Sequence, residues 1–171
     1  MFFTSIAGET NSFVYNPMNL NYCQKDEKTL HLEFPVEPQT FSDTVEMSGH
    51  PIVVTFHMSQ TDSGAYALIE LELGNLKDSI QQYSSSFFNG MVTFIINDIG
   101  AEVDNFTEFE YNGYKGNDFN IISPNQESKE NLTSKGKTLL IDGRGYIWFG
   151  ISDGSDSQNK VNKFLNSYSL K

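Results

Sequence analysis

From Thr29 to Phe34 the chain alternates, with Leu30, Leu32 and Phe34 on one side and His31 and Glu33 on the other. That period of two predicts a half-buried strand, stopped by Pro35. Val36 to Val45 reads as extended chain or a weak strand interrupted by Pro38, and the β-branched run Ile52–Met58 as a strong strand. An Asp62-Ser63-Gly64 turn leads into Ala65–Leu73, where Ala67, Ile69, Leu71 and Leu73 share one face and Glu70 and Glu72 the other, so a hairpin is predicted. Glu102 to Tyr111 alternates again. Its Asn112-Gly113 turn predicts a partner strand over Tyr114–Ile122, ended by Pro124. Residues 124–136 are polar and read as an exposed loop. Lys137–Asp142 and Tyr146–Ser152 flank Gly143-Arg144-Gly145 as a further hairpin. Both faces of the second arm are apolar, with Ile147, Phe149 and Ile151 on one and Tyr146 and Trp148 on the other, so both are expected to be covered.

Two stretches change period. Leu76, Ile80, Tyr83, Phe87, Met91, Phe94 and Ile95 recur at three and four residues, and Asn75 is a helix cap with Asp78 in the first turn. One long helix over about 76–98 is predicted, passing through Gly90 at a cost of about 1 kcal/mol. The run Met91–Ile96 also suits a strand. Near the C-terminus, Ser155–Gln158 fits a capping box, and Val161, Phe164, Leu165 and Tyr168 form the stripe of a short helix. The expected fold class is therefore α+β: a twisted, largely antiparallel sheet of about six or seven strands sandwiched between a long central helix and a short C-terminal one. A single domain is expected over 1–171, with 1–28 an irregular N-terminal segment carrying at most a short strand at Ser12–Tyr15, and 29–171 the core.

Composition narrows the class. With 171 residues, 14 Phe, eight Tyr and one Trp, the chain is long and aromatic enough to bury a core without disulfides. No run approaches the roughly 20 apolar residues of a membrane-spanning helix. Residues 1–110 carry 16 acidic side chains against three lysines, whereas 111–171 carry six against eight basic ones. A phosphate backbone is repelled by the first part, which argues against nucleic-acid binding, while a basic protein is attracted. Solubility alone is the plainer account of the charge. Cys23 has no partner in the sequence for an intrachain disulfide and reads as a buried or half-buried small residue. Met1-Phe2-Phe3-Thr4 is too short and uncharged for an intact signal peptide, leaving open a cytosolic protein or an exported one whose leader has been removed. Asn105-Phe-Thr107 and Asn131-Leu-Thr133 match the glycosylation acceptor pattern, a frequent chance occurrence.

Candidate chemistry is sparse. His31, His50 and His57 make no close His-x-x-x-His pair, although His31 with Glu33 shares a strand face and His57 could lie on a neighbour. Glu102, Asp104, Glu108 and Glu110 are expected on one strand face with Phe106 among them, a setting that raises carboxylate pKa values or attracts a cation, or else guards a sheet edge against aggregation. Together with Glu70 and Glu72 they are the candidate binding residues. Asp153-Gly-Ser-Asp156 lacks the sixth-position Gly and closing Glu of a calcium loop, and Asp142-Gly-Arg-Gly145 lacks the Lys-Ser/Thr of a phosphate loop. Trp148, Tyr146, Tyr111 and Tyr114 suit either a ligand groove or a sheet–helix core, and core is favoured for Trp148.

Four segments carry a family likeness: Leu30-His-Leu-Glu-Phe-Pro35 with Pro38, Gly113-Tyr-Lys-Gly116, Gly145-Tyr-Ile-Trp-Phe-Gly-Ile-Ser152 and Phe164-Leu-Asn-Ser-Tyr168. In order and spacing, over about 140 positions, they resemble the Mog1/PsbP-like superfamily and its bacterial envelope-associated domains of unknown function. The chain departs from that pattern in having Lys137 near the place of an Arg at the start of the penultimate strand, and in lacking a lipid-attachment cysteine motif. The resemblance implies a sheet between helical layers and a protein that acts by binding. The expectation is a non-enzymatic domain, without metal or cofactor, that recognises a basic protein through an acidic sheet surface. The alternative is a small-ligand carrier with a cleft between the long helix and the sheet, and an enzyme ranks third.

Overall fold

Among the described residues, nine strands and three short helices follow one another in the order β1 (Leu30–His31), β2 (Gln39–Met47), β3 (His50–Thr61), β4 (Gly64–Glu72), a 3-10 turn (Gly74–Leu76), α1 (Lys77–Gln82), α2 (Ser84–Asp98), β5 (Glu102–Tyr111), β6 (Tyr114–Pro124), β7 (Asn131–Ile141), β8 (Arg144–Ser152), α3 (Ser155–Leu165) and β9 (Ser169–Leu170). This computed structural model describes residues 28–171 except 48, 63, 83, 99, 125–130 and 153–154. The segment 1–27, with the expected strand at Ser12–Tyr15 and Cys23, lies outside the described residues.

Seven strands form one antiparallel sheet in the order β2-β3-β4-β8-β7-β6-β5, and β1 and β9 pair in a separate two-stranded sheet. The α+β expectation of a sheet sandwiched between a long central helix and a short terminal one, which the family likeness also implied, is corrected by these elements. The described residues are mostly β, with a second small sheet and three short helices. Over the expected helix 76–98, the described residues are the end of a 3-10 turn, α1 and α2. Gly74, at φ +50°, opens the 3-10 turn ahead of the helical residues. Gly90, the anticipated weak point, sits inside α2.

Edge strand β2 is exposed along nearly its whole length, whereas the middle of the sheet is buried on both faces. On one, Phe88, Val92 and Ile96 of α2 and Ile80 of α1 pack on Ile52, Val54, Ile69, Leu71, Phe119, Ile121 and Ile147. Ile80 is buried and Leu76, Phe87, Met91 and Ile95 pack against this core as the expected stripe requires, but the most buried positions of α2 are their neighbours. Phe88, Val92 and Ile96 face the sheet, whereas Phe94 is 73% exposed. On the other face, Val161, Phe164 and Leu165 of α3 and Leu30 of β1 pack on Tyr66, Leu68, Leu139, Tyr146 and Trp148. Trp148 is fully buried and its Nε1–H donates to the Leu165 carbonyl at 3.2 Å, satisfying one of the open carbonyls at the end of α3. Both faces of β8 are covered, as its apolar alternation predicts.

Turns follow the signals in part. Asn112-Gly113 and Asp142-Gly143 both have two consecutive positive φ values, the geometry of the two-residue turns that match strand twist. The second turn thus falls one residue earlier than Gly143-Arg144-Gly145, and Arg144 and Gly145 belong to β8. Residues 131–136, expected in a loop, are the first half of β7. They are held there by pairing with β6 from Gly116↔Leu139 to Pro124↔Asn131.

Candidate functional site

The segment 30–38 crosses one face of the sheet and then turns into β2. Leu30 is buried, His31 and Glu33 are exposed and Leu32 and Phe34 half-buried, so the alternation holds although only Leu30–His31 finds a strand partner. That partner is β9. Thr29 N–H donates to the Lys171 carbonyl at 3.0 Å and Lys171 N–H to the Thr29 carbonyl at 3.1 Å. Glu33 N–H donates to Ser167 Oγ at 3.0 Å, and the Phe34 and Phe164 rings lie 5.0 Å apart. Pro35 and Pro38 then restrict the chain as it leaves for β2. Between this strap and the sheet is an open groove of about 570 Å³, within the usual range for ligand sites. Leu30, Leu32, Phe34, Pro35, Val36, Pro38 and Leu68 form its apolar wall, and its ionisable groups are His31, Glu37, His57 and Glu70.

The polar end of the groove is set by strand register. Thr40 lies opposite His57 across β2–β3, and Thr55 lies opposite Glu70 across β3–β4, so His57 is diagonal to Glu70 on the same face. Thr40 Oγ1 is 2.8 Å from His57 Nδ1, and His57 Nε2 is 3.0 Å from Glu70 Oε1. An ionised carboxylate only accepts, so Nε2 carries the proton given to Glu70, and in the neutral ring Nδ1 accepts from the Thr40 hydroxyl. Both His57 and Glu70 are half-buried. Beside them Ser42 Oγ and Thr55 Oγ1 are 2.9 Å apart, extending a ladder of hydroxyls along the exposed wing of the sheet. Tyr146, opposite Glu70 on β8, is buried. Burial pushes its phenol pKa up and the Glu70 charge adds to the rise, while the Leu30 backbone and Arg144 oppose it. Arg144 Nη2 lies 3.8 Å from Glu72 Oε1, directly across the same strand pair.

The six carboxylates offered by the sequence do not form one surface. Glu70 and Glu72 are on β4, and Glu102, Asp104, Glu108 and Glu110 are on the opposite edge strand β5, with β8, β7 and β6 between. Four strand spacings put them roughly 19 Å apart, beyond the Debye length of about 8 Å at physiological salt. The four on β5 are also divided. A register shift between Val103 and Asn105 leaves Glu102 opposite Ile122, whereas Glu108 is opposite Asn117 on the face that α2 covers. Ser85 Oγ–H of α2 donates to Glu108 at 2.9 Å, and Asn117 on the same face donates to Asn89 of α2 at 3.0 Å. The expected single acidic face is corrected by this bulge, which inserts one unpaired residue and so reverses the alternation. All four side chains remain exposed.

Lys137, singled out in the family likeness, bonds Asp118 across β6–β7 and lies over the Phe109 ring at 4.7 Å. Trp148 and Tyr146 belong to the core, whereas Tyr111 and Tyr114 are half-buried around it. No cluster of three His, Cys, Asp or Glu side chains suited to a metal occurs among the described residues. None of their helices is long and apolar enough to cross a membrane.

Sequence reasoning named His57 and Glu70 separately and missed Thr40 and the strap as a wall. The His57–Glu70 contact was within reach: a turn at Asp62-Ser63-Gly64 places His57 opposite Leu68 and therefore diagonal to Glu70. The β2–β3 turn near Gly49 gave no comparable signal, and Thr40 is aligned only through it. No protein-family model matches the chain, and no curated protein matches its sequence.

Proposed function

We propose that this chain is a binding domain that holds a small, largely apolar ligand in the groove under the 30–38 strap, with the His57–Glu70 pair as its polar anchor. The observation carrying this reading is the groove itself: one wall of aliphatic, aromatic and proline side chains, ending at two hydrogen-bonded polar groups. That mixture is characteristic of ligand pockets. Its place differs from the cleft that the sequence suggested, because α2 packs directly on its side of the sheet.

Two exposed valines test it. Val36 lines the groove at 46% exposure, whereas Val53, at 38%, lies outside its lining. With the neutral fluorophore N-phenyl-1-naphthylamine, the unaltered protein is expected to give saturable enhancement, Val36→Asp to lose most of it, and Val53→Asp to keep it. Equal loss in both variants, or no enhancement in the parent, counts against the reading.

A second reading is recognition of a basic protein at β5, favoured by its exposed edge and its four solvent-facing carboxylates. Such binding must weaken steeply as salt rises; salt-independent capture speaks against it. The Thr40–His57–Glu70 line also has the order of a hydroxyl, a base and an orienting carboxylate. A groove ligand meets His57 and Glu70, however, and Thr40 is not part of the lining, so the pair is assigned to binding.

A further inference from the structure

We propose that the groove selects a ligand carrying a protonated amine on its apolar body, with the Glu70 carboxylate as the counter-charge; this rests on the groove being the binding site. Four ionisable side chains line the groove, and two of them are carboxylates, Glu37 on the strap and Glu70 on β4. Among the described residues, no lysine or arginine is part of the lining. The charged neighbours on the sheet face do not reverse this balance. Arg144 is placed against Glu72 at 3.8 Å, and Tyr146 is a buried phenol. His31 is exposed on the strap, and His57 is engaged at both ring nitrogens, by Thr40 and by Glu70.

Glu70 is also prepared for the role. Its Oε1 accepts from His57, which orients the carboxylate on a strand rather than on a loop. A carboxylate has about four acceptor sites, and one is used by this bond. Its half-burial beside Leu68 makes a charge pair there stronger than one in open water. A neutral ligand of the same shape gains only the apolar wall. An anionic one brings its charge against Glu70 and Glu37 and is repelled.

Displacement of bound N-phenyl-1-naphthylamine by dodecylamine, dodecanol and dodecanoate, each kept below its micellar concentration, separates the terms. The parent protein is expected to bind the amine about tenfold more tightly than the alcohol, a difference of about 1.4 kcal/mol, and the carboxylate least. Glu70→Gln, close in size and keeping an acceptor toward His57, is expected to bring amine and alcohol to parity, each read against the fluorophore affinity measured in that variant. Val53→Met, outside the lining, should keep the preference for amine. Equal displacement by amine and alcohol in the parent, or an amine preference that survives Glu70→Gln, overturns the charge assignment and leaves the groove standing. Failure of the fluorophore to bind removes the groove reading first, and this one with it.

Discussion

Tyr146 shows how one side chain couples the core to the groove. Its ring is fully buried on β8 opposite Glu70, and burial, with the Glu70 charge in support, raises its pKa above the ordinary phenol value of about 10. In the folded protein the phenol therefore holds its proton at a pH where the unfolded chain has lost it. The stabilisation is fully present below about pH 10 and is lost as pH rises through the folded-state pKa. Tyr114 and Tyr168 are shifted the same way, chiefly by burial. Urea midpoints measured across the alkaline range are expected to fall steeply for the parent and less steeply for Tyr146→Phe. An identical slope in the variant would show that Tyr146 ionises freely in the fold. Its aromatic, core-facing position is legible from the alternation of Tyr146-Ile147-Trp148; its proximity to Glu70 is not, because β4 and β8 are joined by more than 70 residues and no turn fixes their register.

At the scale of elements, β8 is the central plank on which both helices rest. Gly145 lies under the Phe88 ring of α2 on one face, and Gly150 lies under Val161 of α3 on the other. A Cβ at Gly150 would stand 2.9 Å from a Val161 methyl, so Gly150→Ala must push α3 outward. Overpacking of this kind costs about 1–3 kcal/mol, and a lowered urea midpoint with an unchanged slope is the expected result; an unchanged midpoint would mean that α3 is loosely seated. In the sequence, Gly145 reads as part of a turn and Gly150 has no evident purpose, since a glycine's role depends on what approaches it. Strand existence is mostly legible, because alternation is a local property: β3, β4, β5, β6 and β8 all appear close to where period and turn signals put them. The helical region is less so. The apolar residues of 76–98 are dense enough to suggest several stripes, and packing against Ile69, Leu71 and Phe119 chooses Phe88, Val92 and Ile96. The bulge at Val103–Asn105 is likewise invisible in composition and decides which carboxylates face together.

For the whole molecule, strand order explains why a charge count misleads. Glu70 and Glu72 on interior strand β4 are separated from the four carboxylates of edge strand β5 once β8, β7 and β6 insert between them. Separate neighbourhoods result: a hydroxyl-rich wing with a groove at β2–β4, and an acidic margin at β5. The wing depends on something distant in sequence. The seam joining Thr29–His31 to Ser169–Lys171 fastens the roof over His57 to the last residues described. Ser169–Lys171 thus serve as a latch: breaking their pairing with Thr29–His31 would loosen the roof while every wall side chain stayed intact.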